Sequence, residues 1–115
     1  MRVAVSSQNF RTITGHAGKS RRFILFDIDT DGQITERERL DLPKGMSLHD
    51  TRGPEHPLFE QGLTHLITGG AGERFGERMA ANGITVIQTS EPEIEPALKA
   101  LAAGEPLPPA APHEH

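Results

Sequence analysis

The chain of 115 residues contains no cysteine, no tryptophan and no tyrosine. Without cysteine it has no disulfides, no thiolate metal ligands and no cysteine nucleophile. Five phenylalanines are its only Phe, Trp or Tyr residues, so aromatic platforms for nucleic-acid bases are scarce. A formal net charge of −4 also argues against a nucleic-acid partner.

Long apolar runs are also lacking. Met1 leads directly into the strand-like segment 2–5, and no stretch has the length of a signal-peptide core or a membrane span. We therefore expect a soluble, cytoplasmic protein without a membrane partner. The length allows one domain, which we place at residues 1–105, followed by a disordered proline-rich tail at residues 106–115.

The stretch from Leu63 to Gln88 has the clearest pattern of structural elements. A short apolar run is broken by Gly69-Gly70-Ala71-Gly72, residues 73–81 have a helical composition, and a second apolar run follows Gly83. Two strands joined by a helix within so few residues run parallel. This stretch is therefore a βαβ unit, and the chain is an α/β protein.

Two stripes of residues run along the helix predicted over residues 73–81. Positions 71, 75 and 79, four residues apart, form an apolar stripe that includes Phe75 and Met79. This stripe predicts the face of the helix that packs on the core. Beside it, Gly72, Gly76 and Ala80 form a stripe of small residues. Such a stripe predicts that the helix backbone closely approaches the sheet.

Polar loops follow two of the predicted strands. Residues 6–9 end the first strand, and the glycine turn at residues 69–72 ends a later one. The carboxyl ends of parallel strands share one edge of a sheet, where ligands collect. Residues 11–22 add four Lys or Arg residues, one His and no acid. In an acidic protein this basic loop indicates an anionic ligand, and a solvated loop is the alternative.

Residues 23–42 predict a β-hairpin with a turn at residues 30–32. The segment from Asp27 to Glu38 also matches the calcium-loop pattern D-x-D-x-D-G with Glu at the twelfth position. A calcium loop needs a helix on each side, but glycines interrupt one before it and a proline follows closely. We therefore predict a hairpin with an acidic tip and keep calcium binding as a remote alternative.

The crossing from Leu42 to Leu63 contains three prolines and three glycines, which exclude long regular structure. One or two helical turns are predicted over residues 55–61. The crossing also contains His49 and His56. A histidine in a loop is usually solvated, so neither is a convincing ligand by itself.

A final helix is predicted over residues 92–103. Ser90 and Glu93 have the spacing of a capping box at its start. Pro96 would remove a backbone donor one turn into this helix, unless the helix begins nearer Glu95.

Several segments together resemble one protein family. They are the strand Arg2-Val3-Ala4-Val5-Ser6, the loop Gly15-His16-Ala17-Gly18 with the strand after it, and above all Leu66-Ile67-Thr68-Gly69-Gly70-Ala71-Gly72 continuing to Gly83-Ile84. These segments are similar to the dinitrogenase iron-molybdenum cofactor biosynthesis family, which includes NifX-like proteins and the carboxy-terminal domain of NifB. The resemblance implies a three-layer α/β domain with a ribonuclease-H-like sheet of five strands, the second antiparallel to the rest.

The resemblance also implies a function in nitrogen fixation. It implies that the chain binds or carries an iron-sulfur precursor of the iron-molybdenum cofactor, without catalysis, between donor and acceptor proteins of nitrogenase assembly. His16 matches the family loop after the first strand, and His49 lies in the crossing where related proteins also carry His. These two are the implied metal ligands. The other predicted cofactor-binding residues are His56, Gly69, Gly70 and Gly72.

The chemistry of these residues is consistent with such cargo. Imidazole can ligate iron or molybdenum, while the basic loop and the amides near the helix start can offset the charge of a cluster. Ordinary iron-sulfur proteins fix their clusters with thiolates, which this chain lacks. The composition therefore favours a transient carrier over an electron-transfer protein, and it also fits a family member that binds no cluster.

The same residues allow a function of another class. The main alternative is a regulatory or scaffold module that binds a partner protein or a small anion at the same edge. The spacing of Gly70, Gly72 and Gly76 departs from a dinucleotide turn, and Gln88 stands where such a site needs an acid. No serine has a nucleophile-elbow context, and no acid-base pair is placed for catalysis.

Overall fold

The computed structural model describes residues 1–47 and 56–109, which form one sheet with a helix on each face. The strands and α-helices are β1 (Arg2–Ser6), β2 (Arg22–Ile28), β3 (Ile34–Asp41), β4 (His65–Thr68), α1 (Glu73–Ala81), β5 (Thr85–Gln88) and α2 (Ile94–Ala103). Two short 3-10 helices lie at Ala17–Lys19 and Pro57–Glu60. Within the described ranges, no helix has the length and apolar character needed to cross a membrane.

The five strands form one mixed sheet in the order β3-β2-β1-β4-β5. β1 pairs parallel with β4, and β4 pairs parallel with β5. The connection between β4 and β5 is α1, as a parallel pair requires. β2 runs antiparallel to both β1 and β3. This arrangement confirms the predicted α/β fold, including the βαβ unit and the antiparallel second strand.

The two helices cover opposite faces of the sheet. Phe75 and Met79 of α1 lie in a buried cluster that also contains Ala4 of β1. Ala97 and Leu98 of α2 lie in a second cluster, here called the α2-side cluster, with residues from the other face of β1 and β2. Because successive residues of a strand point to opposite faces, β1 contributes to both clusters. The result is the predicted three-layer structure.

The predicted close approach of α1 to the sheet through small residues is wrong. Gly72 and Gly76 each have open space where a Cβ would stand, and Ala80 is exposed. α1 packs through Phe75 and Met79, which are buried. The two large side chains fill the space between helix and sheet, so the small residues lie beside the packed stripe and not beneath it.

α2 begins later than predicted, and the predicted capping box is wrong. Its N-cap is Glu93, whose side chain makes no capping hydrogen bond. The amide of Ser90 donates instead to the carbonyl oxygen of Pro108, at 3.2 Å. Because α2 starts at Ile94, Pro96 is the third helical residue. A backbone N–H at that position would have no acceptor within the helix, so the proline is tolerated.

β2 and β3 form the predicted hairpin. Oδ1 of Asp29 accepts hydrogen bonds from the amides of Asp31 and Gln33, each at 2.9 Å, which closes the turn. Asp27 lies within β2, where it forms ion pairs of 2.9 Å with Arg2 and Arg37. The segment that matches the calcium-loop pattern is therefore two paired strands and not a loop between two helices.

The chain after α2 turns back along the end of β5. Oγ1 of Thr89 donates to the carbonyl oxygen of Pro108 at 2.6 Å, and Thr89 forms an isolated antiparallel bridge with Pro109. Leu107 packs against the α2-side cluster. Residues 107–109 of the predicted tail therefore contact the domain, while residues 110–115 lie outside the described part of the chain.

Candidate functional site

The loop after β1 and the glycine turn after β4 meet at the carboxyl edge of these two parallel strands. The amide of Gly69 donates to the carbonyl oxygen of Thr14, and the amide of Ala17 donates to the carbonyl oxygen of Gly70, both at 3.0 Å. These bonds run in opposite directions between the two segments. They join residues 14–17 of the loop to residues 69–70 of the turn. We call this junction, at the carboxyl ends of β1 and β4, the carboxyl edge.

The contact between the two segments depends on glycine at position 69. A Cβ added there would stand 3.2 Å from the amide nitrogen of Gly15 and 3.3 Å from the carbonyl carbon of Thr14. Both atoms belong to the backbone, so neither can rotate away. Gly69 therefore allows the close approach of a second backbone segment. The sequence had predicted such an approach at Gly72 and Gly76.

Two buried hydroxyl groups lie beneath this junction. Oγ of Ser6 lies 2.7 Å from both the carbonyl oxygen of Thr14 and Oγ1 of Thr68. Oγ1 of Thr68 in turn lies 3.1 Å from the carbonyl oxygen of Gly70. Sequence reasoning missed these two residues as a pair. Their only sequence signal is that each is a hydroxyl residue at the last position of a parallel strand.

His16 lies on the exposed side of the carboxyl edge. Its backbone is left-handed (φ +57°, ψ +52°), a conformation that costs energy for most residues other than glycine, asparagine and aspartate. The carbonyl oxygen of His16 accepts hydrogen bonds from the amides of Lys19 at 2.9 Å and Ser20 at 3.0 Å, which hold this conformation. Lys19 is also exposed, so an imidazole and an ammonium group belong to one short helical turn.

The start of α1 adds the positive end of a helix dipole to the same edge. Gly72 is the N-cap, and it supplies no side-chain acceptor to the first turn. Not every amide of the glycine turn is available, since that of Ala71 donates to Oε1 of Gln88 at 3.2 Å. Glu73 in the first turn also offsets part of the positive charge. The helix end therefore contributes less than the sequence alone suggests.

His56, in the second half of the crossing, is buried, with 1% of its surface exposed. Its Nδ1 accepts from the amide of Leu58 at 3.1 Å, so Nε2 carries the proton and donates to the carbonyl oxygen of Met46 at 2.7 Å. Burial, together with the charge of Arg78, lowers the pKa of His56 from its ordinary value of 6.5. Because both ring nitrogens are engaged, this geometry does not support His56 as a metal ligand.

The remaining predicted ligand, His49, lies outside the described residues. Across residues 1–47 and 56–109, no three His, Asp or Glu side chains are grouped so that they could hold a metal ion. Of the three histidines predicted from sequence, His16 is the one that the structure describes as exposed at the carboxyl edge. Among the described residues His16 is therefore the candidate imidazole ligand at this edge, and His49 stays a prediction.

A family model described as "Dinitrogenase iron-molybdenum cofactor" (Nitro_FeMo-Co) matches residues 1–104. The chain belongs to this family. Membership confirms the resemblance carried by the strand and glycine-turn segments, and it relates this Nitro_FeMo-Co protein to the iron-molybdenum cofactor of dinitrogenase. A comparison with curated proteins gave no match.

Solved structures with the same fold are similar to this Nitro_FeMo-Co chain over most of its length. The crystal structure of PH0822 is 25% identical, with a TM-score of 0.72 over 91% of this chain and 93% of that one. A candidate dinitrogenase from Methanocaldococcus jannaschii is 13% identical, with a TM-score of 0.71 over 91% and 90%. A candidate NifB protein from Thermotoga is 20% identical, with a TM-score of 0.62 over 90% and 88%. At these identities the two latter structures support the fold alone.

Proposed function

We propose that this Nitro_FeMo-Co protein is a non-catalytic carrier of an anionic iron-sulfur precursor of the iron-molybdenum cofactor. The precursor is its cargo, received from a donor protein and passed to an acceptor protein of nitrogenase assembly. The observation that carries the proposal is the position of His16, exposed on a loop whose backbone is bonded to the glycine turn. The binding site is then the carboxyl edge of β1 and β4.

The groups at this edge suit an anionic metal cluster. The imidazole of His16 is a nitrogen ligand for iron or molybdenum. Lys19 supplies a full positive charge one turn away, and the start of α1 supplies a partial one. Together these groups attract an anion and offer one coordinate bond, without enclosing the cargo.

The fixed backbone of the loop supports binding in a second way. His16 already has the conformation in which its carbonyl oxygen is bonded to two amides, and the loop is already tied to Gly70. Binding therefore does not have to order this segment, which lowers its entropic cost.

The same groups make retention weak, which suits hand-over. The sequence has no cysteine, so no thiolate fixes the cluster. In the described part of the chain His16 has no neighbouring pair of His, Asp or Glu with which to complete a metal site. A cluster held by one imidazole and by charge dissociates more readily than one held by four protein ligands. The protein then differs from an electron-transfer protein, which keeps its cluster.

An anaerobic titration tests the proposal. The purified protein is mixed with isolated cofactor precursor, passed through a desalting column, and assayed for iron and for visible absorbance in the protein fraction. Without Trp or Tyr the protein contributes little to the near-ultraviolet and visible spectrum. We expect iron to elute with the protein in a fixed ratio and to pass to an apo-acceptor protein that is added later.

The test variant is His16→Asn and its control is His65→Asn. Asparagine tolerates the left-handed backbone of position 16, so the substitution removes the imidazole and preserves the loop. His65 begins β4, at the opposite end of that strand from the glycine turn. We expect iron retention to fall in His16→Asn and to be unchanged in His65→Asn.

Other results would decide against parts of the proposal. Equal retention in both variants would remove His16 from the site while leaving the carrier role. No retention by the folded wild-type protein would exclude the carrier role and favour the alternative, a module that recognises a partner protein or a small anion at this edge.

A further inference from the structure

A second feature of the loop after β1 lies in its first half, before His16. The ring of Phe10 lies against the guanidinium groups of two arginines from different strands, with the Cζ atoms of Arg22 and Arg39 at 5.6 Å and 5.4 Å from its centroid. We call these three residues the Arg22–Phe10–Arg39 platform. Guanidinium groups at such distances are attracted to the negative face of an aromatic ring.

The sheet register places both arginines of the platform on one face. Arg39 of β3 is paired with Ile24 of β2, and Arg22 is two residues before Ile24 on the same strand. Residues two apart on a strand share a face, so both arginines project on the side of the α2-side cluster, against which Phe10 also packs. The side chains of Arg22 and Arg39 remain 43% and 52% exposed. The platform is therefore reachable from solvent.

The backbone of Phe10 is held in a costly conformation. Its φ of +57° lies in the left-handed region, which is unusual for a bulky side chain. Oδ1 of Asn9 accepts hydrogen bonds from the amides of Arg11 and Thr12, each at 2.9 Å, and these bonds support the turn. Strain held in place by its surroundings is concentrated at functional positions. The turn therefore holds the ring of Phe10 against the arginines of the two strands.

The existing acidic partners of the platform are weakly bound. Arg22 pairs with Asp41 at 3.3 Å, and Arg39 pairs with Glu36 at 3.5 Å, with all four side chains substantially exposed. Exposed ion pairs of this kind contribute little stability, so an incoming carboxylate can replace the native one at low cost. The guanidinium groups present paired N–H donors that match a carboxylate.

We propose that the Arg22–Phe10–Arg39 platform is a docking surface for an acidic segment of a partner protein. Arginine and aromatic side chains are enriched in the centres of protein interfaces, where they carry much of the binding energy. The guanidinium groups are already ordered by the ring and by Gln8, whose carbonyl oxygen accepts from Arg22 at 2.9 Å. His16 is not one of the platform residues, and the role of the platform does not depend on the metallocluster.

Titration of the isotope-labelled full chain with a hexaglutamate peptide tests this inference, with a hexalysine peptide and inorganic phosphate as comparison probes. Two-dimensional NMR spectra follow the Nε–H signals of Arg22 and Arg39 and the amide of Phe10. We expect hexaglutamate to shift these signals and hexalysine to leave them unchanged. We expect phosphate to act only at far higher concentration, because it lacks the several linked carboxylates with which the peptide can engage both arginines at once.

Matched variants distinguish peptide binding at the platform from a general effect of positive charge on binding. Phe10→Asn keeps a residue that tolerates the left-handed backbone. We expect it, and likewise Arg39→Gln, to weaken hexaglutamate binding about threefold to tenfold. The control is Arg37→Gln, which removes a charge from the same strand but from an ion pair with Asp27 on the other face. It should leave binding within about twofold of the wild type.

Three results would overturn the inference. The first is the absence of shifts at Arg22 and Arg39 with hexaglutamate. The second is an equal loss of binding in Arg37→Gln, which would reduce the effect to the net charge of the strand. The third is phosphate binding as tight as peptide binding, which would make the platform a small-anion site and not a protein-docking surface.

Discussion

At the scale of single residues, Gly69 is the glycine on which the carboxyl edge depends. We expect Gly69→Ala to lower the free energy of unfolding by about 1–3 kcal/mol, because its Cβ would press on the backbone of Thr14 and Gly15. The loss is measured by urea unfolding.

Gly76 provides the matched control for this substitution. A Cβ at position 76 meets no atom within 4 Å, and the residue lies inside α1. Gly76→Ala should therefore stabilise the protein by about 0.5–1 kcal/mol through the helix preference of alanine. Equal destabilisation by both substitutions would contradict the assignment of the close contact to position 69.

His56 makes the stability of the protein depend on pH. Burial lowers its pKa in the folded protein from the ordinary 6.5, so the unfolded chain takes up a proton at a higher pH than the folded one. The free energy of unfolding should therefore be largest above the unfolded pKa and decrease as the pH falls through it. Urea unfolding measured from about pH 8 to about pH 5 tests this direction.

A His56→Asn variant isolates this contribution. Asparagine keeps an acceptor for the amide of Leu58 but does not titrate, so the variant should be less stable at high pH and show a shallower decrease. His65 must be measured beside it, because burial lowers the pKa of His65 as well and acts in the same direction. An unchanged slope in His56→Asn would assign the pH dependence to other groups.

At the scale of elements, the buried hydroxyl pair of Ser6 and Thr68 links the ends of β1 and β4 to the loop that carries His16. Thr68→Val keeps the shape of the side chain but removes Oγ1, which lies within hydrogen-bond distance of Ser6 and Gly70. We expect a loss of about 1–3 kcal/mol of unfolding free energy. We also expect faster amide hydrogen exchange at Ala17.

The conservative variant Thr68→Ser distinguishes this hydrogen bonding from packing. It restores the hydroxyl group and should return the exchange rate of Ala17 towards that of the wild type. If Thr68→Val left exchange at Ala17 unchanged, the hydroxyl pair would have no part in fixing the loop. Because exchange is measured without any cluster, this result does not depend on the proposed carrier role.

The elements were predictable where local pattern decides them. The βαβ unit and the hairpin follow from apolar runs, a glycine turn and an Asp-Gly turn, all of which act between near neighbours in sequence. The start of α2 was misplaced because Ser90 bonds with Pro108, a contact that no local pattern indicates. In the same way, spacing alone did not show that Gly69, and not Gly76, meets another backbone segment, since that segment follows a different strand.

At the scale of the whole molecule, one loop serves two surfaces. Its first half places Phe10 against β2 and β3, and its second half places His16 beside the turn after β4. The sequence predicted an anionic ligand for the basic segment at residues 11–22, but it did not predict that these positive charges would belong to two surfaces. They do so because Arg22 belongs to β2, whereas Lys19 lies in the loop beside His16. The proposed cargo site and the proposed docking surface thus share a scaffold and can be disabled separately.

The extent of the folded unit can be tested by truncation after residue 105. A chain ending at residue 105 matches the domain predicted from sequence, but it removes the packing of Leu107 and the hydrogen bonds between Pro108 and the segment Thr89–Ser90. We expect it to lose about 2 kcal/mol of unfolding free energy relative to a chain ending at residue 109, which keeps every contact described here. Urea unfolding of both chains makes the comparison. Equal stability would place the boundary at residue 105, because residues 106–109 would then add nothing to the unit that the five strands and two helices form.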